Sequence, residues 1–285
     1  MERLAELARS QSLTAIVALA VVLVAVAALR RFVLRRPLDL FAMWGHTRMV
    51  VYAGVTGALY FAMLVPFKFA VVVPGFSEVR PGVALPLALS FLFGPAAAWG
   101  AGIGNLIGDF FGTFGPGSVP GFLGNFLLAY APYSVCRALL GSTPPHQAGW
   151  KGPAAVAFSI MVGVFACSTT IAWGCHLMGL APFRILAPVI LINNTLVGLA
   201  LALPLTLAIL PRAIRWNVVY HEVMDAGEVK PAATARLGAA LFSAAALSGW
   251  VIGMALSATG NDSALGIGLG VAPSILGMLI GVLLL

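Results

Sequence analysis

The sequence predicts an all-α integral membrane protein with about nine transmembrane helices, and its composition and charge distribution support that prediction. Of its 285 residues, 61% are hydrophobic and 9% are charged, with a mean hydropathy of +1.02. A soluble domain needs far more charge to cover its surface. Eight stretches lack Asp, Glu, Lys and Arg, and each reaches the roughly 20 residues that cross a bilayer core. These stretches are residues 10–29, 49–67, 81–108, 110–136, 152–183, 185–211, 237–261 and 263–285.

The first of these stretches is expected to form a retained anchor helix. Its apolar run is longer than the core of a secretory signal, and no small-residue cleavage site precedes the basic segment "LRRFVLRR". The third stretch, residues 81–108, contains Gly94 and Pro95 near its middle. We interpret it as one helix to about residue 98, a tight turn and a second, short helix, which gives nine helices.

The basic residues indicate how the helices cross the membrane. A net charge of +7 would suggest a nucleic-acid partner for a soluble protein, but here the position of each charge relative to the bilayer is more informative. If the segment after the first helix is cytoplasmic, alternation of nine helices puts 11 of the 16 Lys and Arg residues there. Those 11 are Arg30, Arg31, Arg35, Arg36, Arg48, Arg137, Lys151, Arg212, Arg215, Lys230 and Arg236. The pattern predicts a multi-pass protein of the cell (inner or cytoplasmic) membrane, with its N-terminus outside, its C-terminus cytoplasmic and no nucleic-acid partner.

The segment "GAGIGNLIGDFFGT", residues 100–113, places polar side chains in very apolar surroundings. Glycines recur there every four residues, so on a helix they form a smooth stripe that another helix can approach closely. These glycines are Gly100, Gly104, Gly108 and Gly112. Asn105 and Asp109 fall on the neighbouring stripe. The pattern predicts a helix inside a bundle that faces a cavity.

The predicted orientation gathers the polar groups of four helices and one loop in the outer half of the membrane. Ionisable groups at membrane depth are costly and commonly mark a substrate or ion pathway. We therefore predict a cavity for a small polar substrate, lined by Glu78, Arg80, Asn105, Asp109, Asn125, His176, Asn193 and Asn194.

Each of these residues also has a structural explanation. The asparagines could form interhelical hydrogen bonds worth about 1 kcal/mol each, His176 could be an interface residue, and Asp109 could be a structural charge paired with Arg80. Their shared depth favours a cavity, because independent structural groups have no reason to gather in one leaflet. Three cysteines lie in or near apolar stretches without paired spacing, so no disulfide, metal site or cofactor is predicted.

The order "VVVPGFSEVRPGVALPLALSFLFGPAAAWGAGIGNLIGDFFGT" resembles the substrate-binding membrane subunits, or S components, of energy-coupling factor (ECF) importers for vitamins and other micronutrients. That family shows an external loop, a proline-containing helix that ends in a Phe-Gly-Pro turn, and a glycine-rich helix with an Asp near its end. The matching residues are Pro86, Phe93, Gly94, Pro95, Gly104, Gly108 and Asp109.

The resemblance implies a six-helix core with both ends cytoplasmic, and it divides the chain accordingly. Residues 1–45 would be the N-terminal anchor helix and a basic cytoplasmic segment, residues 46–215 the six-helix substrate-binding core, residues 216–236 a cytoplasmic connection and residues 237–285 a C-terminal helical hairpin. The resemblance also implies a coupling face on the first core helix, which contacts a membrane partner called the T component. Gly54, Ala58 and Ala62 form a stripe there that allows close helix approach.

The predicted function is therefore capture and import of a small polar micronutrient, with energy supplied by separate ABC-type ATPase subunits through the T component. The alternatives are a membrane scaffold or assembly protein that transports nothing, and a solitary permease. The sequence does not predict an enzyme. It lacks a "GxxxxGK[ST]" phosphate-binding loop, and Asp109 has no partner acid of the kind that a membrane aspartyl protease requires.

Overall fold

A computed structural model of the protein describes residues 38–67, 71–73, 77–78, 80–112, 114–229 and 233–285. Its helices are α1 (Asp39–Ala42), α2 (Thr47–Leu64), α3 (Ala84–Phe93), α4 (Pro95–Asp109), α5 (Ser118–Leu140), α6 (Lys151–Leu177), α7 (Phe183–Val197), α8 (Leu203–Arg215), α9 (Tyr220–Val223), α10 (Ala226–Val229), α11 (Ala235–Ala258) and α12 (Ala264–Leu284). Short 3-10 turns occupy Met43–Gly45, Val65–Phe67, Pro81–Val83 and Pro145–Gln147.

Two features depart from regular α-helix. A short antiparallel hairpin of β1 (Val71–Val73) and β2 (Ser77–Glu78) is an exception to the all-α prediction. A π-helical segment, Gly198–Ala202, joins α7 to α8 within one continuous helix. We call the end of the bundle that carries this β-hairpin the hairpin end, and the end that carries residues 141–150 and 216–229 the connector end.

The described residues contain five helices that are long and apolar enough to cross a membrane. They are Thr47–Phe67, Lys151–Leu177, Phe183–Val223, Ala235–Ala258 and Ala264–Leu284, with Pro81–Phe93 as a shorter apolar helix. The protein is thus a helical integral membrane protein. The anchor helix predicted within residues 10–29 lies outside the described residues, so the count of nine helices stays a prediction.

The chain reverses direction at Gly94, between α3 and α4. Gly94 has a φ of +52°, which L side chains rarely adopt, and Pro95 then begins α4 because proline suits the first helical turn. The prediction of a helix to about residue 98 is wrong in this detail, and Trp99 lies inside α4. The Phe-Gly-Pro turn ends the first helix earlier because positive φ at Gly94 stops the regular hydrogen-bond pattern.

Close contact between α2 and α4 forms one side of the bundle. A Cβ added at Gly100 would lie 2.6 Å from the Ala53 carbonyl oxygen, and one added at Gly104 would lie 2.7 Å from the Gly57 carbonyl oxygen. The two backbones therefore touch along the glycine stripe, as tight packing between membrane helices requires. The remaining core is built from α5, α6 and α7, which pack in sequence order beside α4.

The C-terminal helices α11 and α12 form an antiparallel hairpin that packs on α6 and α5. Glycine permits the approach: a Cβ at Gly249 would lie 2.9 Å from Thr169 Cγ2 on α6. Thr169 Oγ1 donates to the Ala246 carbonyl at 3.1 Å, and Trp173 Nε1 donates to the Gly268 carbonyl at 3.2 Å. The helical hairpin of α11 and α12 therefore packs on α5 and α6, away from the outward face of α2.

The connector end holds a buried polar network. Arg137 at the end of α5 forms an ion pair with Asp39 of α1 at 3.2 Å and also donates to the Val229 carbonyl at 3.2 Å. The Tyr133 hydroxyl donates to the same Asp39 carboxylate at 3.3 Å. The Tyr220 ring covers the turn, with Cγ 2.6 Å from where a Cβ at Gly94 would lie. These contacts attach residues 220–229 to the core.

Candidate functional site

A cavity of about 280 Å³ opens at the hairpin end, between α4, α5, α6 and α7. Six of the eight residues predicted from the sequence as substrate-binding line it: Arg80, Asn105, Asp109, Asn125, Asn193 and Asn194. The structure thus brings together groups that are far apart in the sequence.

Helix α4 supplies Asn105 and Asp109 to the cavity because its glycine stripe and its polar stripe face in different directions. The glycine stripe packs on α2, so the adjacent stripe is turned toward the cavity, where Asn105 and Asp109 are both buried. Arg80 Nη1 donates to Asn105 Oδ1 at 3.1 Å, and Asn105 Nδ2 donates to Asp109 Oδ2 at 3.3 Å. The Asn105 amide thus links Arg80 to the Asp109 carboxylate, and these two bonds fix the orientation of the amide.

Helix α5 supplies Asn125, whose amide is held from two sides. Tyr60 of α2 donates from its hydroxyl to Asn125 Oδ1 at 2.7 Å, and Asn125 Nδ2 donates to the Gly121 carbonyl at 2.8 Å. Tyr60 was not predicted as part of the site. The signal that could have indicated it is a hydroxyl within a mainly apolar helix, on the face opposite the small-residue stripe.

Helix α7 supplies Asn193 and Asn194 on the opposite wall. Asn193 Oδ1 accepts from the Arg80 backbone N–H at 3.5 Å, at the limit of a hydrogen bond, and its Nδ2 is 3.5 Å from Asn194 Oδ1. Asn194 Nδ2 is 3.7 Å from Cys167 Sγ on α6. The amide of Asn193 therefore links α7 to the backbone at Arg80, and the amide of Asn194 faces α6.

The rest of the lining is mainly apolar and small. It includes Val83, Phe114, Cys167, Ile171, Cys175, Leu180 and Ile190. The two cysteines, Cys167 and Cys175, are both buried and border the cavity. Apolar walls with a few fixed polar groups are typical of small-molecule sites, since the walls provide contact area and the polar groups provide orientation.

Two predicted residues are not placed in the lining. His176 is buried beside Cys175, but its Nδ1 accepts from the Phe183 backbone N–H at 3.2 Å, at the turn into α7. One residue along a helix rotates the side chain by about 100°, so Cys175 borders the cavity and His176 does not. Glu78 lies in β2 opposite Val71, and its side chain is outside the described part of the structure.

The predicted coupling stripe faces away from the bundle. Gly54, Ala58 and Ala62 are exposed, and a Cβ at Gly54 would meet no atom within 4 Å among the described residues. The membrane-spanning window of this helix is only 28% buried, the lowest share among the five spans. Helix α2 therefore has a buried face toward α3 and α4 and an exposed, apolar face that carries the small-residue stripe.

The connector end has its own cavity and a cluster of possible metal ligands. The cavity measures about 290 Å³ and borders Tyr133, Arg137 and Tyr220. In the part of the chain that the structure describes, His46, Asp225 and Glu228 are the one group whose ligand atoms lie within 4.8 Å of one another. His46 Nε2 and Glu228 Oε2 are 2.8 Å apart, so these two side chains form a hydrogen-bonded pair without a metal ion.

Comparison with known proteins adds the family. A family model described as QueT transporter matches residues 50–211, more than half of the chain. The chain belongs to the QueT transporter family. This membership confirms the resemblance to ECF-type S components that was inferred from the Phe-Gly-Pro turn and the glycine-rich helix. No curated protein and no solved structure matches the chain.

The matched region also shows which helices of the chain correspond to the family model. It spans α2 to α8 and therefore contains all six predicted residues that line the cavity at the hairpin end. The C-terminal hairpin and the connector lie beyond it. As a member of a transporter family, the chain is a multi-pass membrane protein.

Proposed function

We propose that this chain is the substrate-binding S component of an importer for a queuosine precursor, a small polar micronutrient. ECF-type S components for queuosine precursor uptake form the QueT family. The observation that carries the proposal is the cavity at the hairpin end, where six polar side chains from four segments meet. Separate ABC-type ATPase subunits supply the energy through a T component that contacts α2.

The cavity suits a small, flat, heteroatom-rich ligand. Its volume of about 280 Å³ is close to the lower limit of roughly 300 Å³ for ligand pockets. The Asp109 carboxylate accepts N–H donors, whereas the asparagine amides offer both donors and acceptors. A guanine-like base presents adjacent N–H donors and a carbonyl acceptor on one edge, so Asp109 and Asn105 together can satisfy such an edge.

We further propose that the hairpin end faces outward and that the connector end is cytoplasmic, as the basic residues indicate. The domain division predicted from the sequence fits this arrangement, with residues 46–215 as the binding core and residues 237–285 as an added support. In this orientation the ligand enters from outside, and Arg80 lines the cavity at that end.

Substitution of Asp109 by Asn and of Asn105 by Leu tests the binding site directly. Each variant is expected to weaken binding of a tritiated queuosine precursor base at least about tenfold, or roughly 1.4 kcal/mol. The cause is the loss of a fixed acceptor or of the amide that links Arg80 to Asp109. Binding is measured on the purified full-length protein, and native mass spectrometry of the wild type looks for a co-purified ligand.

Asp262→Asn is the matched control. Asp262 lies at the hairpin end between α11 and α12, accepts from the Ser257 hydroxyl at 2.9 Å and does not line the cavity. It should bind the probe like the wild type. If Asp109→Asn and Asn105→Leu bind normally but are poorly produced, Asp109 is a structural charge, and the cavity is not the binding site.

Cysteine labelling tests the orientation. Thr259→Cys places an exposed thiol at the hairpin end, and Ser142→Cys places one at the connector end. A membrane-impermeant thiol reagent applied to intact cells should label the first variant and not the second, and permeabilised cells should show both. The three native cysteines are buried, so the wild type serves as background. The reverse labelling pattern would place the cavity on the cytoplasmic side and contradict capture from outside.

A further inference from the structure

Tyr60 links the helix with the open small-residue face to the wall of the cavity. Its side chain is fully buried, and its hydroxyl donates the 2.7 Å bond to Asn125 Oδ1. The other end of the same amide donates to the Gly121 carbonyl. Exchange of the amide oxygen and nitrogen would point an oxygen at that carbonyl, so these two bonds together define one orientation of Asn125.

This orientation determines what Asn125 offers to a ligand. A side-chain amide has two N–H donors and an oxygen with two lone pairs. Gly121 uses one N–H and Tyr60 uses one lone pair, so Asn125 keeps one donor and one acceptor site at the cavity. Without the Tyr60 hydroxyl, Oδ1 would lose its donor in a buried position, which favours rotation of the amide toward any other donor.

The position of Tyr60 is set by packing that does not involve the cavity. Helix α2 touches the backbone of α4 at Gly57, one turn before Tyr60, where a Cβ would lie 3.2 Å from the Gly100 carbonyl oxygen. Residues Ala58 and Ala62, on either side of Tyr60 in the sequence, are exposed on the other face. One helix therefore carries both the open face and the hydroxyl that orients Asn125.

We propose that Tyr60 is a positioning residue of the binding site, which holds the Asn125 amide in its ligand-binding orientation. This inference rests on the proposed function and deepens it. Tyr60 does not line the cavity itself, and its hydroxyl reaches the cavity lining through the bond to Asn125.

A double-mutant cycle tests the proposal with the same tritiated queuosine precursor base and the purified full-length protein. Tyr60→Phe keeps the ring and removes the hydroxyl, and it should weaken binding about fivefold, as expected for one buried hydrogen bond. Asn125→Ala should weaken binding at least as much. The double variant should bind no more weakly than Asn125→Ala alone, because Tyr60 has nothing left to position.

Thr56→Val and Tyr130→Phe are the matched controls. Thr56 is buried one turn before Tyr60, and its hydroxyl has no hydrogen-bond partner within the described residues. Tyr130 is a buried tyrosine of α5 whose hydroxyl donates to the Val282 carbonyl at 3.4 Å, away from the cavity. Both variants should bind the probe like the wild type, which separates positioning of Asn125 from general loss of packing.

The outcomes are distinct. If Tyr60→Phe binds like the wild type, or if it weakens binding by the same factor with and without Asn125→Ala, the positioning role is overturned. If instead the wild type itself does not bind the probe, the proposed function fails and not the inference alone. A Tyr60→Phe variant that melts at a lower temperature but shows no coupling to Asn125 also overturns the inference, because only a structural role remains.

Discussion

Replacement of Ala58 by tryptophan is expected to abolish uptake and to leave ligand binding within about twofold of the wild type. Ala58 lies on the exposed stripe of α2, between Gly54 and Ala62, whereas the cavity lies behind the opposite face of the helix. Small residues four apart let two membrane helices come into van der Waals contact, which is the main attraction between them in lipid. An indole ring in this stripe would hold the T component away.

The measurement compares uptake of the labelled base into cells with binding to the purified variant. Ala244→Trp is the matched control, because Ala244 is also an exposed alanine on a membrane-spanning helix, but on the C-terminal hairpin. Cells that express Ala244→Trp should take up the labelled base like cells that express the wild type. Normal uptake by Ala58→Trp would favour a solitary permease over a coupled importer, and a parallel loss of binding would show that the stripe affects the cavity.

Replacement of Gly104 by leucine is expected to have the largest effect on the fold. Its Cβ would lie 2.7 Å from the Gly57 carbonyl oxygen and 3.0 Å from Gly57 Cα, which are backbone atoms that cannot rotate away. Overpacking of this kind costs about 3 kcal/mol or more, and the melting temperature of the purified protein should fall by roughly 10 °C. The displaced α4 would also move Asn105 and Asp109.

Gly54→Ala is the control for this variant, and it should behave in the opposite way. It lies on the same helix pair, but no described atom would be within 4 Å of its Cβ. An alanine in a helix is favoured over glycine by up to about 1 kcal/mol, so the melting temperature should stay the same or rise slightly. If both variants lose the same stability, close contact between α2 and α4 does not explain the effect of Gly104→Leu.

Sequence patterns predicted the faces of the helices well. Glycines four residues apart indicated a close helix contact, and the adjacent Asn105 and Asp109 indicated a cavity, because side-chain direction in a helix follows from spacing alone. Gly94 and Pro95 indicated a break in the third apolar stretch, but the sequence placed the end of the first helix near residue 98 instead of at Phe93. The broad membrane assignment followed from composition, which does not depend on how the chain folds.

Other features depend on which helices pack against each other, and the spacing of residues within one helix does not reveal that. Tyr60 and Asn125 are 65 residues apart, and Asp39 and Arg137 are 98 residues apart. His176 was assigned to the cavity by depth, but its direction on α6 turns it to the start of α7. Depth places a residue along the membrane normal and leaves its rotation about the helix axis undetermined.

The π-helical segment Gly198–Ala202 corrects the rotational register of the long helix that contains it. Buried residues recur there at every fourth position: Ile190, Asn194, Gly198, Ala202, Thr206 and Leu210. In a regular α-helix, each step of four residues overshoots one turn by about 40°, so such a stripe would wind around the helix and leave the core. The wider π turn removes part of that drift. Asn194 can therefore face the cavity while Leu210, 16 residues later, still faces the interior, so deletion of one residue within the segment would turn the two halves of the helix out of phase.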